Sequence, residues 1–498
     1  MLVIISDLHL TDGTSGESIS PGAFHLLAER IEDLALRASC RADGSYRPVE
    51  RIDLLLLGDV LDVIRSAHWL TSSVRPWDNP HAPEMLETVG AITRGILRQN
   101  EGGLGVLRTL ANEGAIRLAP ANHLARPVPA GYTQPVPVRI HYMIGNHDWF
   151  YHLKGPGYDA IRREVVTHLG LANRVDAPFP HDPHESDELM EVLRRHRVFA
   201  RHGDIYDPFN FEGDRDASSL GDAIVIELLN RFSAQVEAEL GEDLPLATLQ
   251  GLREIDNIRP LLLVPVWIDG LLERTCSFPS MRKEVKLIWD QLADEFMQLP
   301  FVSRRDSWSP LDMVDGLQRL LKFSQRLSVG WASAVAAWFH GLRGMQEESY
   351  FRHALSEQDF RNRRAKHIVY GHTHFPETMP LDASFADGNV LNQIYFNSGT
   401  WRRVHRQTQL APSEQEFIAS DSMTYLAFFQ GDERKGRPYE AWTGTLAVAG
   451  PEPKIFRVDQ GTKQNALGES ISASGLHQHG PHFAPSPART PVVPTRRV

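Results

Sequence analysis

Cysteine is almost missing: Cys40 and Cys276 are the only two in 498 residues. Neither lies in a Cys-x-x-Cys pair, which argues against a thiolate zinc site. One bridge would add little to a chain of this length, so both are expected as reduced thiols of a cytosolic protein. No run approaches about 18 apolar residues, so no membrane-spanning helix is expected. The N-terminus lacks the basic start, long apolar stretch and small-residue cleavage site of a signal peptide; its first apolar run meets Asp7 at once. A cytoplasmic location is therefore expected. A basic excess is missing as well. The formal net charge of −11 disfavours nucleic acid or anionic lipid as a bulk partner, although a local basic groove is compatible with it.

A hydrophobic share of 42% is enough apolar material for a large core. Five short apolar runs have strand character: LVIIS at 2–6, IDLLLL at 52–57, RIHYMI at 139–144, RVFA at 197–200 and HIVY at 367–370. Continuous apolar runs suit strands buried on both faces. Helical patterns at about 22–38, 84–112 and 157–169 alternate with them, which indicates a layered α/β fold. Residues 208–364 are mostly helical by pattern and read as a large helical insertion, or cap, in a discontinuous core of 1–207 and 365–455. Within it, 224–240, 260–275, 281–299, 313–327 and 331–342 read as helices. The strand-like runs after residue 370 are expected to form a second sheet. The tail 460–498, with few large apolar residues, is expected to be disordered.

Each of the five runs ends in a polar cluster: Asp7-Leu8-His9; Gly58-Asp59 with Asp62; Gly145-Asn146-His147-Asp148; His202-Gly203-Asp204; and Gly371-His372-Thr373-His374. Ligands of α/β sheets gather beyond the carboxyl ends of strands, so these clusters are expected to converge. Asp, His and Asn offer oxygen and nitrogen without sulfur, a set that suits Mn²⁺, Fe or Zn²⁺. Asp7 and His9 are two apart, as are His372 and His374, so on an extended backbone each pair would project to one side. The glycines before the clusters permit tight turns.

In this order, D-x-H, G-D-x-x-D, G-N-H-D, H-G-D and G-H-T-H resemble the signature of calcineurin-like metallophosphoesterases over about 1–205 and 365–405. The resemblance implies a layered metallophosphoesterase core and two divalent cations, Mn²⁺ foremost. Asp7, His9 and His374 would hold the first cation, Asp59 would bridge, and Asn146, His202 and His372 would hold the second. Two such cations can share a carboxylate and a water, and acidify that water. His147 would act on the leaving-group side, oriented by Asp148, with Asp62 and Asp204 as supporting partners. With His202-Gly203-Asp204, the early G-D-x-x-D and a helical insertion before the final histidines, the chain most resembles the branch that cleaves the UDP-2,3-diacylglucosamine pyrophosphate bond. It departs from that branch in having His147 where Arg is usual and in its far longer insertion.

Trp149, Arg402 and Arg403 are weaker candidates for substrate contact. The resulting expectation is a two-metal hydrolase acting on a phosphodiester or pyrophosphate in a nucleotide-like or lipid-linked small molecule. A DNA or RNA nuclease and a non-catalytic scaffold on the same fold are the alternatives. The sequence does not address the oligomeric state.

Overall fold

Strands that are apolar at every position have two faces to bury, and the architecture buries both. The structure is a computed structural model that describes residues 1–128, 131–259, 263–305, 317, 321, 349–386, 389–407 and 417–445. The helices expected at 313–327 and 331–342, the core segment 446–455 and the tail 460–498 lie outside the described residues, apart from positions 317 and 321.

Thirteen strands are described: β1 (Leu2–Ile5), β2 (Ile52–Leu57), β3 (Arg117–Leu118), β4 (Gln134–Pro135), β5 (Val138–Met143), β6 (Val198–Ala200), β7 (Ile258–Arg259), β8 (His367–Tyr370), β9 (Glu377–Ala386), β10 (Asn389–Asn397), β11 (Arg403–Gln407), β12 (Phe417–Phe428) and β13 (Tyr439–Thr445). The first sheet has the order β5-β2-β1-β12-β11-β7, with β13 on β12, and the second has the order β6-β8-β10-β9. In the first, β1, β2 and β5 are parallel and β12 runs antiparallel to β1. In the second, β6, β8 and β10 are parallel.

Side-chain alternation assigns each strand to two cores. Leu2 and Ile4 of β1 and Leu55 and Leu57 of β2 meet Val369 and Phe396 of the second sheet, whereas Val3, Ile5, Leu54 and Leu56 join the core beneath the helices. Beyond the second sheet, Phe199, Ile368, Tyr370 and Tyr395 pack with Tyr350 and Ala354. Each fully buried leucine or isoleucine contributes roughly 1.5–3 kcal/mol. A slip of one residue would exchange the two faces, so this double burial also specifies the register.

Helix Pro21–Ala38 starts where the Ser20 side chain accepts from Gly22 N, and it buries Phe24, Leu27, Ile31 and Leu34 at helical spacing. The expected helix at 84–112 is instead two, Pro83–Gln99 and Glu101–Asn112. The break falls at Asn100, whose Nδ2 donates to the carbonyls of Thr11 and Ile96, each at 2.8 Å. That tertiary bond to Thr11 has no trace in the helical periodicity.

The insertion is largely helical, with Arg231–Leu240, Leu246–Arg253, Val264–Thr275 and Pro279–Gln298. The expected helix at 224–240 opens with a wide π-helical stretch, Ile224–Asn230. The insertion also adds β7 to the first sheet, parallel to β11 through His405↔Ile258, a two-residue strand too short to leave a pattern. The strands after residue 370 do not form a sheet of their own. β9 and β10 complete the second sheet, whereas β11, β12 and β13 extend the first. Partner choice depends on which edges the earlier strands leave open. No helix among the described residues is long and apolar enough to cross a membrane.

Candidate metal centre

The turns that follow β1, β2, β5, β6 and β8 are bound to one another. Asp7 N donates to Gly58 O (3.1 Å), His9 N to Asp59 O (2.9 Å) and Gly371 N to His202 O (2.8 Å). His147 N donates to Asp59 Oδ1 at 2.8 Å, and His372 N reaches the Asp7 carboxylate at 3.1 Å. The extended backbone expected for the Asp-x-His and His-x-His pairs is not what aims them. Asp7 (φ 54°), His9 (φ 45°), Asp59 (φ 51°), His372 (φ 68°) and His374 (φ 59°) are all left-handed. The chain turns sharply as soon as each strand ends, at roughly 1–3 kcal/mol per non-glycine residue. Five such residues in one place are a mark of a functional site. Two glycines make room for them: a Cβ on Gly145 would lie 2.7 Å from His202 Nε2, and one on Gly371 would lie 2.6 Å from Asp7 Oδ2.

Three sets of ligand atoms result, each within 4.8 Å: Asp7, His9 and His374; Asp59, His202 and His372; and His9, Asp62 and His147. His9 Nε2 and His374 Nε2 are 3.0 Å apart, and Asp7 Oδ1 is 3.3 Å from His374 Nε2. Asp59 Oδ2 sits between the first two sets, 3.2 Å from His202 Nε2 and 3.6 Å from His9 Nε2. His202 Nδ1 is bound to Leu57 O at 3.0 Å, which leaves Nε2 to face the carboxylates. His202 Nε2 and Asn146 Oδ1 are buried without a hydrogen-bond partner among the described residues. Buried polar atoms seldom go unpaired. Unpaired nitrogen and oxygen donors beside carboxylates fit divalent cations of the Mn²⁺, Fe or Zn²⁺ kind.

The electrostatics separate these groups. Burial pushes His9 down to about 4, although Asp62 opposes it. Burial, together with the Arg259 charge, holds His374 well below its usual range. Both are therefore neutral imidazoles, the form that binds metal. Burial alone would raise Asp59, but the charges of His202 and His147 hold it well below its usual range. Burial and the neighbouring Asp59 push Asp7 up to about 6 against the pull of His202. His147 goes the other way: burial disfavours its charge, yet Asp62 and Asp59 outweigh burial and raise it to about 9.

No protein-family model matches the chain, and no curated protein matches it. The likeness to metallophosphoesterase-like folds therefore rests on the site itself, two neighbouring His/Asp clusters of the kind typical of their metal sites. Such a centre is consistent with a hydrolase.

Several expected residues lie elsewhere or make other contacts. Asp148 does not orient His147. Its carboxylate accepts from Val60 N (2.9 Å), Tyr142 OH (2.6 Å) and Gly145 N (2.6 Å), so it braces the turn on which His147 stands. The partner of the His147 ring is Asp62, with Oδ1 2.7 Å from Nδ1. Trp149 is buried in the main core, stacked on Phe150, with Nε1 donating to Asp222, which takes it out of reach of a substrate. Arg403 lies on the surface, paired with Asp421. Arg402 is buried, with Nη2 on Asp256 and Asn257 of the insertion. Asp204 stands behind His202, paired with Arg215.

Sequence reading missed Asp207, at the edge of the core, and the insertion's share of this region. Asp207 Oδ2 is 3.1 Å from His372 Nε2, and Asn210 accepts from Asn146 Nδ2 at 3.2 Å. Asp256 pairs with Arg65 (2.9 Å) as well as Arg402 (3.1 Å), and the Arg259 charge acts on His374. Asp207, three residues beyond the His-Gly-Asp motif, had a usable signal in its position; the others had none. The Asn-Ser-Gly-Thr stretch was a second missed signal. Ser398 Oγ meets Ser6 Oγ at 2.7 Å, and Thr400 Oγ1 donates to Asp7 O at 2.7 Å.

Proposed function

We propose that the protein is a two-metal hydrolase that cleaves a phosphodiester or pyrophosphate bond in a nucleotide-like or lipid-linked small molecule. The observation that carries this reading is Asp59 between two sets of N and O donors, with an independently held histidine beside them. Asp7, His9 and His374 would hold one cation, Asn146, His202 and His372 the other, and Asp59 both. Bound there, the cations would supply Lewis acidity and acidify a water.

The rest of the work falls to this chain's side chains. Asp62 accepts a hydrogen bond from Nδ1 of His147, which fixes the ring. The Asp62 charge favours the protonated form of His147, which can give a proton to a leaving oxygen. Arg402, Arg65 and Arg259 gather around the one carboxylate of Asp256.

The test is turnover by the purified chain with added Mn²⁺. Hydrolysis of bis-p-nitrophenyl phosphate or of members of a nucleotide-pyrophosphate panel is expected, and failure on both overturns the proposal. Cleavage of DNA or RNA at low salt, with no turnover of the small molecules, would favour the nuclease alternative.

A further inference from the structure

A second group of metal-ligating side chains lies outside this centre. His152, His181 and Glu185 each bring one ligand atom within 4.8 Å of the others. His152 ends the short 3-10 helix Trp149–His152 that follows the Gly-Asn-His-Asp turn, whereas Glu185 ends the 3-10 turn Pro183–Glu185. A fourth residue, Asp216, comes from the insertion, with Oδ1 2.6 Å from His152 Nδ1.

The hydrogen bonds around this group aim it inward. Asp216 takes the Nδ1 side of His152 and so directs Nε2 toward Glu185 Oε1, 3.7 Å away. Glu185 Oε2 is occupied by the backbone N–H groups of His181 (3.0 Å) and Asp182 (3.4 Å), which leaves Oε1 free to face the two rings. His181 Nδ1 is 3.0 Å from that Oε1, yet it is a buried nitrogen with no hydrogen bond of acceptable angle. The two imidazoles stand edge to face with centroids 5.0 Å apart. A nitrogen and a carboxylate oxygen in close contact without hydrogen-bond geometry are placed as two ligands of one ion are placed. His202 Nε2 and Asp59 Oδ2 in the candidate centre show the same relationship, at 3.2 Å.

We infer that His152 Nε2, His181 Nδ1 and Glu185 Oε1 form a third divalent-cation site, of the Zn²⁺ class, in which Asp216 orients His152. Two histidines and a carboxylate are an ordinary zinc donor set, and the imidazole–carboxylate pair behind one of them is the usual support for a metal-bound histidine. The site would clip the insertion to the core. Arg215, next to Asp216, reaches Gly145 O at 3.3 Å and pairs with Asp204, so the clip would steady the turn that carries Asn146 and His147.

The test is elemental analysis of the full chain after metal removal, reloading with excess Zn²⁺ and desalting. His181→Ala and Glu185→Gln are each expected to hold one zinc ion fewer per chain than the unsubstituted protein. His374→Ala, altered at the other centre, is expected to keep the ion that His181→Ala loses, so the two readings fail separately. Equal zinc content in the unsubstituted protein and in folded His181→Ala and Glu185→Gln chains overturns the inference. Both side chains are partly exposed, and circular dichroism establishes that the variants fold. A Co²⁺ titration provides the second readout: the visible absorption of cobalt bound at His152 and His181 should be lost in His181→Ala, and an unchanged spectrum overturns the inference.

Discussion

The Asp62 carboxylate lies 2.7 Å from Nδ1 of His147 through one oxygen and 2.7 Å from Nδ1 of His9 through the other. One buried side chain thus orients the proposed proton donor and a proposed metal ligand together. Asp62→Asn keeps the shape but loses the charge and one acceptor. It should lower kcat, metal affinity or both by about 10- to 100-fold. Steady-state kinetics across a Mn²⁺ titration would separate the two effects, and unchanged values for both would count against the role given to Asp62.

His147 is placed beside the proposed metal ligands and is not assigned as one. His147→Ala is therefore expected to reduce kcat by about 100- to 10,000-fold while metal content by elemental analysis stays at the unsubstituted level. Loss of metal in this variant would make His147 a ligand and leave the reaction without the proton donor assigned here.

Gly145 has no room for a side chain. A Cβ there would meet His202 at 2.7 Å, and the Asp59 carboxylate is also in its way. Gly145→Ala should push these two groups apart, lower metal content and destabilise the fold by about 1–3 kcal/mol. Denaturant unfolding and elemental analysis would read these effects. Retention of full metal content would show that the turn can move without disturbing the donors.

Away from the centre, His367 is buried beside Phe396, Phe428 and Tyr439. Burial, helped by Lys366 and Arg197, pushes it down to about 3. The unfolded chain protonates this histidine near pH 6.5, whereas the folded chain holds it neutral until about pH 3. Its contribution is therefore complete above about pH 6.5 and is lost as pH falls toward 3, by roughly 1 kcal/mol per pH unit. In His367→Phe, stability should fall less between pH 7 and pH 5 than in the unsubstituted protein. Urea unfolding at the two pH values measures this, and identical losses would refute it.

Much of the plan was legible in the chain because the five apolar runs are short and each is followed within two residues by Asp, His or Asn. A strand buried on both faces cannot hide its pattern, and a polar cluster at its end has few structural reasons to be there. Asn100 and β7 were not legible, since a helix break made by a bond to Thr11 and a two-residue strand depend on distant partners. The orienting role passed from Asp148 to Asp62 for a similar reason. Adjacency in sequence favoured Asp148, but its carboxylate is taken up by Val60, Tyr142 and Gly145.

By itself the sequence determined where strands end, which donor types stand at those ends and that the protein is layered α/β. Those properties follow from local composition and periodicity. Only the tertiary structure decided that β1, β2 and β5 lie in one sheet and β6 and β8 in the other, and that five donor residues turn left-handed to meet. It alone brought Asp207, at the edge of the core, and Asn210 and Asp256 of the insertion up to the site. Contacts between residues far apart in the chain are selected by packing and charge in three dimensions, which no local pattern encodes.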